Sequence, residues 1–360
     1  MKLGDVCQIK YGKDHKALLD GTIPVYGSGG IMRYCDKYIH NKQSVLIPRK
    51  GTLSNIFYVD QPFWTVDTLF WTDINEEIVL PKYLYYLLLT KNISSLNVGT
   101  AVPSLTADIL NDIKITLPSL SEQKNVIKIL SSFDAKIQLN KQLNDYLSET
   151  LKIAFADRFG SETPTVNLGS VMTISTRSLN PSNCIGEIWE HYSIPAYDEN
   201  HRPVLEPVEK IKSNKYVIDN DCILISKLNP STKRLWLPKC TSTRSVCSTE
   251  FIVYKPKRPE HKSFYYAAID SPLFTDFLLA HVTGSTGSRQ RAQPKATLDY
   301  PIPNPNIKEI EDFCKFANPM VVQQQLNEQE STNLEKLRDA LLPKLISGEL
   351  TFCQSSFLYH

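Results

Sequence analysis

Two patterns of apolar and polar positions alternate along the chain, and each occurs twice. The first consists of short apolar runs, at 44–47, 55–59, 221–225 and 249–254, with the length and β-branched content of strands. Turn signals such as Gly27-Ser28-Gly29-Gly30 and Asn229-Pro230-Ser231 separate them. The second is a long polar stretch in which apolar residues recur every three or four positions, the period of a helix. One such stretch covers 120–159, between Pro118 and Pro164; the other covers 307–346. In the first, Phe133, Ile137, Leu147, Leu151 and Ala154 share a stripe with Asn140 and Asn144. In the second, Leu334, Leu337, Leu341 and Leu345 carry the stripe towards Gly348, a natural helix stop. Ser121, followed by Glu122 and Gln123, is the expected start of the first helix, and Ser131-Ser132 an expected break in it. Pro319 is expected to open the second long helix in its first turn.

The strand-rich halves echo each other. Lys2-Leu3-Gly4-Asp5-Val6 recurs as Asn167-Leu168-Gly169-Ser170-Val171, and Val45-Leu46-Ile47-Pro48-Arg49 is echoed by Cys222-Ile223-Leu224-Ile225-Ser226-Lys227. Thr65–Phe70 recurs at 247–252, and the aromatic run 83–88 at 264–269. Each half leaves through a proline-bearing exit, Leu117-Pro118 or Ile302-Pro303. The expected architecture is α+β: a globular half at 1–119, a helical region at 120–160, a second globular half at 161–305, a second helical region at 306–350 and a tail at 351–360. Two long helices with narrow, partly polar stripes suit an antiparallel coiled coil, giving a pseudo-twofold repeat. The other arrangement is that each helix packs on its own half.

Composition narrows the class. The 360 residues are 42% hydrophobic and 22% charged, the balance of an ordinary globular protein. No run approaches the length of a membrane span, and the N-terminus lacks an apolar signal region, so a cytoplasmic protein is expected. The eight cysteines form no CxxC pair and are expected as free thiols. Catalytic patterns are missing: no phosphate-binding loop, no G-x-S-x-G elbow and no H-E-x-x-H. Asn229-Pro230-Ser231 and Asn180-Pro181-Ser182 lack the second proline and aromatic of a base methyltransferase motif, and no metal-ligand cluster stands out. No catalytic residue, no metal ligand and no cofactor of the chain's own is expected.

The net charge is only +2, so bulk charge does not announce a polyanion. Its distribution does: acids are absent between Asp36 and Asp60 and between Asp221 and Glu250, where several lysines and arginines lie. Local basic faces of this kind mark a phosphate backbone as partner. The candidate DNA contacts are Lys13, Arg49, Lys50, Thr52, Thr100 and Ser104 in the first half, and Lys227, Lys233 and Arg234 in the second. Ser285, Thr286, Ser288, Arg289, Gln290 and Arg291 form the sharpest stretch: hydroxyls suit phosphate oxygens, and Arg and Gln suit guanine and adenine edges. A solvated loop would have the same composition.

These strings together resemble the specificity subunits of type I restriction–modification systems. The resemblance rests on Ile47-Pro48-Arg49-Lys50-Gly51, Phe63-Trp64-Thr65-Val66-Asp67-Thr68, Gly99-Thr100-Ala101-Val102-Pro103-Ser104-Leu105 and Leu117-Pro118 in the first half. Ser248-Thr249-Glu250-Phe251, the 285–291 stretch and the ending 337–350 carry it in the second. It implies two target-recognition domains that read a split, asymmetric DNA target, with helices that set the spacer. Phe133, Ile137, Leu147, Leu151, Leu334, Leu337 and Leu341 are then candidates for the helix seam and for partner docking. The implied partners are double-stranded DNA, two modification (methyltransferase) subunits and restriction subunits. S-adenosylmethionine, ATP and Mg2+ would sit on those partners. The alternatives are an orphan DNA-binding or scaffold protein, or a self-sufficient methyltransferase or nuclease.

Overall fold

The computed structural model describes residues 1–160, 163–184, 186–284 and 290–350. It divides into two compact units, Met1–Ile137 with Thr332–His360, and Gln138–Ser331.

The first unit contains β1 (Cys7–Tyr11), β2 (Ile23–Gly27), β3 (Gly30–Cys35), β4 (Ser44–Pro48), β5 (Phe57–Val59), β6 (Trp64–Thr65) and β7 (Leu69–Ile74), then α1 (Pro81–Leu89) and α2 (Ala107–Asn111). A four-stranded sheet runs β1-β7-β4-β5 and a smaller one β3-β2-β6. β4 is buried throughout, and Val45, Ile47 and Phe70 pack against Tyr83, Leu84, Leu87 and Leu88 of α1. The start of α3 (Leu120–Arg158) closes this core with Val126 and Leu130, joined by Leu342 and Leu345 from α8 (Ile307–Ser347).

The second unit repeats the plan. Its strands are β8 (Thr165–Asn167), β9 (Met172–Ile174), β10 (Ser178–Leu179), β11 (Ile188–Tyr192), β12 (Val204–Pro207), β13 (Lys215–Val217), β14 (Ile223–Ser226), β15 (Leu235–Trp236), β16 (Ser245–Ser248), β17 (Phe251–Pro256), β18 (Val282–Thr283), β19 (Arg291–Ala292) and β20 (Pro301–Pro303). Its shorter helices are α4 (Leu168–Val171), α5 (Ile194–Asn200), α6 (Lys262–Ile269) and α7 (Pro272–Ala280). The sheet β9-β17-β14-β15 matches β1-β7-β4-β5 strand for strand. In the other sheet, three-stranded in the first unit and five-stranded in the second, β2 pairs antiparallel with β3 and parallel with β6, and β11 does the same with β12 and β16. The echoes in the sequence are therefore equivalent strands and helices: β4 with β14, β6–β7 with β16–β17, α1 with α6. Phe155 and Phe159 of α3 meet Phe264 of α6 and Phe313 of α8 in a ring cluster at 5.1–6.0 Å, seating both long helices on the second unit's core.

Within each unit α3 and α8 pair antiparallel. In the first, Asp134 meets Arg338 at 2.9 Å. In the second, Asn140 donates to Ser331 Oγ (3.2 Å), Asn327 donates to Asn144 Oδ1 (2.8 Å) and Gln324 donates to Ser148 Oγ (2.7 Å). Rising numbers on one helix thus meet falling numbers on the other. The seam is polar where the stripe held Asn140 and Asn144, an arrangement that sets register at some cost in stability.

Three expectations about the helices need correction. Ser131-Ser132 does not break α3, which is continuous; Ser132 returns its hydroxyl proton to Ile129 O at 2.7 Å, a bond the helix tolerates. Its N-terminal cap is Ser119, not Ser121: Ser119 N donates to Glu122 Oε2 (2.9 Å) and Glu122 N to Ser119 Oγ (3.3 Å). The second helix opens on the same box, Asn306 with Glu309 (2.9 and 3.0 Å), so Pro319 lies in its interior and removes one main-chain bond there. Gly348 stops α8 with φ +77°, as its position suggested. Leu337 departs from the stripe: it is 53% exposed, while Leu342 is buried in its stead. The turn between them brings Arg338 to Asp134, and Leu337 faces outward. Phe133, Ile137, Leu147, Leu334 and Leu341 are half-buried and Leu151 is buried.

Candidate nucleic-acid interface

In the first unit β4 emerges from the core at Pro48 and its next residues are held by a main-chain clasp. Arg49 N donates to Thr68 O (2.8 Å), Leu105 N to Arg49 O (2.9 Å) and Gly51 N to Pro103 O (3.0 Å). Lys50 and Ser104 form an isolated bridge. The segment 97–105 is itself closed, because Asn97 Oδ1 accepts from Gly99 N (2.9 Å) and Ser104 N (2.8 Å). The clasp brings Arg49, Lys50, Thr52 and Ser104 together, with Thr100 on the adjoining loop. Lys13 joins them through its amide, which donates to Thr65 O at 2.8 Å.

The second unit builds the same clasp from different residues. Lys227 N donates to Glu250 O, Ala292 N to Lys227 O and Asn229 N to Gln290 O, each at 2.9 Å, and Leu228 bridges Arg291. The correspondence extends to backbone shape. Gly51 has φ +92°, and its equivalent Asn229 has φ +49°, the left-handed region that glycine and asparagine enter most easily. Ser104 thus corresponds to Arg291 and Thr68 to Glu250. Ser285, Thr286, Ser288 and Arg289 lie outside the described residues.

Charge differs between the two clasps. Among the described residues, Lys13, Lys16, Arg49 and Lys50 form no ion pair; Arg49 donates to Asp67 O (3.0 Å) and lies 5.4 Å from the Tyr11 ring centre. Of the expected cations of the second unit, Lys233, Arg234 and Arg291 are engaged, while Lys227 makes no ion pair among the described residues. Lys233 meets Asp270 at 2.5 Å, Arg234 forks onto Asp198 at 2.6 and 2.8 Å, and Arg291 meets Glu250 at 3.0 Å. Two of the three cations expected at 227–234, Lys233 and Arg234, are thus held by acids. The acids come from α5, from the end of α6 and from the edge of the acid-free window, which a count along the sequence does not see.

Glu190, Cys7 and Cys222 serve the core of their units. Glu190, 4% exposed, accepts from Thr241 N at 3.1 Å and from the Thr241 and Ser245 hydroxyls. Burial pushes the Cys7 and Cys222 thiols up to about 12, far from a thiolate at neutral pH. Among the described residues no group of three His, Cys, Asp or Glu side chains is placed to hold a metal ion, and no helix is long and apolar enough to cross a membrane.

Residues 1–149 match the type I restriction modification DNA specificity domain. The type I restriction enzyme MjaIX specificity subunit of Methanocaldococcus jannaschii is 23% identical over 89% of this chain and 80% of its own. The first 149 residues thus carry the type I restriction modification DNA specificity domain. A putative specificity subunit of Haemophilus influenzae is 29% identical over 37% of this chain and 40% of its own. The fold is also that of the type I S subunit crystal structure from M. genitalium, with TM-score 0.59 and 19% identity over 96% of this chain and 95% of that one.

Sequence reading named Arg49, Lys50 and Lys227 as candidate contacts, but it gave Gly51, Asn229, Thr68 and Glu250 no place in a shared clasp. The available signal was spacing: in both halves the residue that takes positive φ lies four positions beyond an apolar core-strand residue, Ile47 or Ile225.

Proposed function

We propose that each unit reads one half of a bipartite, asymmetric target in double-stranded DNA, and that α3 and α8 set the unspecified spacer between the halves. The observation that carries this reading is the repeated clasp. One backbone framework is built twice, and its exposed positions differ in chemistry: Ser104 with Thr68 in one, Arg291 with Glu250 in the other. Identical frameworks with different side chains suit two different half-sites, because main chain positions while side chains specify.

The same reading places two modification subunits and the restriction subunits on the helices. An exposed row of Leu139, Leu143, Tyr146 and Ile153 on α3, at helical spacing, supports protein docking there. S-adenosylmethionine, ATP and Mg2+ belong to those partners, and the chain works in the cytoplasm without chemistry of its own. Selection of bound duplexes from a randomised pool by the assembled complex tests the reading. Enrichment of two short motifs at a fixed separation supports it; a single contiguous motif, or none, contradicts it.

A further inference from the structure

Beside the first unit's clasp lies an open cleft of about 670 Å3. Three segments far apart in sequence line it, 14–16 between β1 and β2, the Gly27–Gly29 turn between β2 and β3, and 66–68 before β7, together with Met32 of β3. The clasp elements hold these walls in place. Lys13 N donates to Thr65 O, Asn55 Nδ2 donates to Ser28 O at 3.1 Å, and Arg49 supports Asp67 O. The lining is mixed in a specific way. Asp14 and Asp67 supply carboxylates, Ser28 and Thr68 hydroxyls, Lys16 a cation, and Val66 an apolar patch. Asp14 Oδ1 accepts from Lys16 N at 3.1 Å, which holds that carboxyl below its ordinary range and keeps it ionised. Among the described residues the Asp67 carboxylate has no hydrogen-bond donor, and the residue is exposed.

A surface that only grips phosphate has no use for two carboxylates, because they repel it. Base discrimination does use them. An ionised carboxylate is an acceptor alone, so it takes the amino group of cytosine N4 or adenine N6 and rejects the keto oxygens of guanine and thymine at the same place. The repulsion is offset here by the surrounding unpaired cations Lys13, Lys16, Arg49 and Lys50.

Resting on the reading that this chain binds DNA, we infer that this cleft is the base-reading site of the first unit, with Asp14 and Asp67 selecting a cytosine or adenine amino group. Ser28 and Thr68 add hydroxyl contacts, and the four cations fix the phosphates on either side. The corresponding place in the second unit presents Glu250 held by Arg291, so the two units select different bases.

The test compares motifs enriched from a randomised duplex pool by complexes carrying the wild-type chain, Asp67→Asn, Asp14→Asn or Arg291→Ala. Asparagine keeps the shape but adds a donor, so selectivity at its position relaxes. The expected result is a loss of about ten- to hundredfold in discrimination at an adenine or cytosine in one half-motif for both Asp variants. The other half stays unchanged, and Arg291→Ala alters that other half. Thermal unfolding midpoints equal to wild type show that the variants fold; should Asp14→Asn unfold, Asp67→Asn, whose carboxylate bonds nothing in the fold, decides alone. Unchanged motifs, or equal weakening across the pool, would overturn the cleft assignment while leaving DNA reading intact. A wild-type complex that enriches no split motif would overturn the DNA reading itself.

Discussion

Replacing Asn327 with leucine, with Asn144 left in place, strands the Asn144 side-chain oxygen in the helix seam. Asn327 is 3% exposed, its Nδ2 is 2.8 Å from Asn144 Oδ1, and its own Oδ1 accepts from Gln323 Nε2 at 2.8 Å. Leaving a buried polar group without its partner costs about 1–3 kcal/mol. In a domain of 150–250 residues each kcal/mol lowers the unfolding midpoint by about 2–4 °C. The single variant is therefore expected to melt about 2–12 °C below wild type. Asn144→Leu alone should do the same, since it strands Asn327 Nδ2 and Gln324 O, which Asn144 Nδ2 reaches at 3.1 Å. With both replaced, the seam loses its amide pair together and gains an apolar contact. The double variant should then be more stable than either single, with a coupling of about 1 kcal/mol or more. Circular-dichroism melts of the four chains, read as a double-mutant cycle, measure this directly. Additive losses would show that the two amides do not act as a pair and would refute the argument.

Three other outcomes follow from the contacts. Gln123 is fully buried; its amide donates to Ile78 O (3.1 Å) and Pro118 O (3.0 Å) and accepts from Leu80 N (2.9 Å), so Gln123→Ala should cost the first unit about 2–4 kcal/mol by chemical denaturation, and a loss under 1 kcal/mol would contradict its role as the peg between α3 and the sheet unit. Lys13→Ala and Lys50→Ala should each flatten the dependence of log K on log salt by about 0.9 and weaken all sequences alike; an unchanged slope would remove them from the phosphate face. Burial raises the Glu328 carboxyl from 4.5 to about 7, with Arg202 and Lys239 opposing, so the native chain keeps a proton that the unfolded chain releases between those values. Stability should fall as pH rises through that window, and Glu328→Gln should remove this part of the slope; a variant with the wild-type profile would show that Glu328 is not its source.

The repeat and its core strands were legible because those strands are nearly uninterrupted apolar runs at matching spacing, as in Val45–Ile47 and Ile223–Ile225. Helix continuity was less so. Ser131-Ser132 is a weak breaker and Pro319 a strong one, and both are overridden where neighbouring turns are fixed by tertiary contacts: Leu130 in the first unit's core, Phe313, Ala317 and Val321 in the second's. The charge pattern misled in one half only. Arg49 and Lys50 lack acid partners, whereas Arg234 finds Asp198 36 residues away, beyond the reach of any local window. The cleft was invisible because its walls, at 14–16, 27–29 and 66–68, meet only after β2, β3 and β7 are in register. Gly27–Gly30 read correctly as a turn, but its place against Asp67 is a property of the fold.

The measurement that bears most directly on the central claim is a methylome. This chain would be expressed with its cognate modification subunit in a host free of DNA methylation, and N6-methyladenine mapped by direct sequencing. The account predicts a single split motif, methylated on both strands and absent when this chain is omitted. Methylation that persists without the chain, or that falls at a contiguous site, would contradict it.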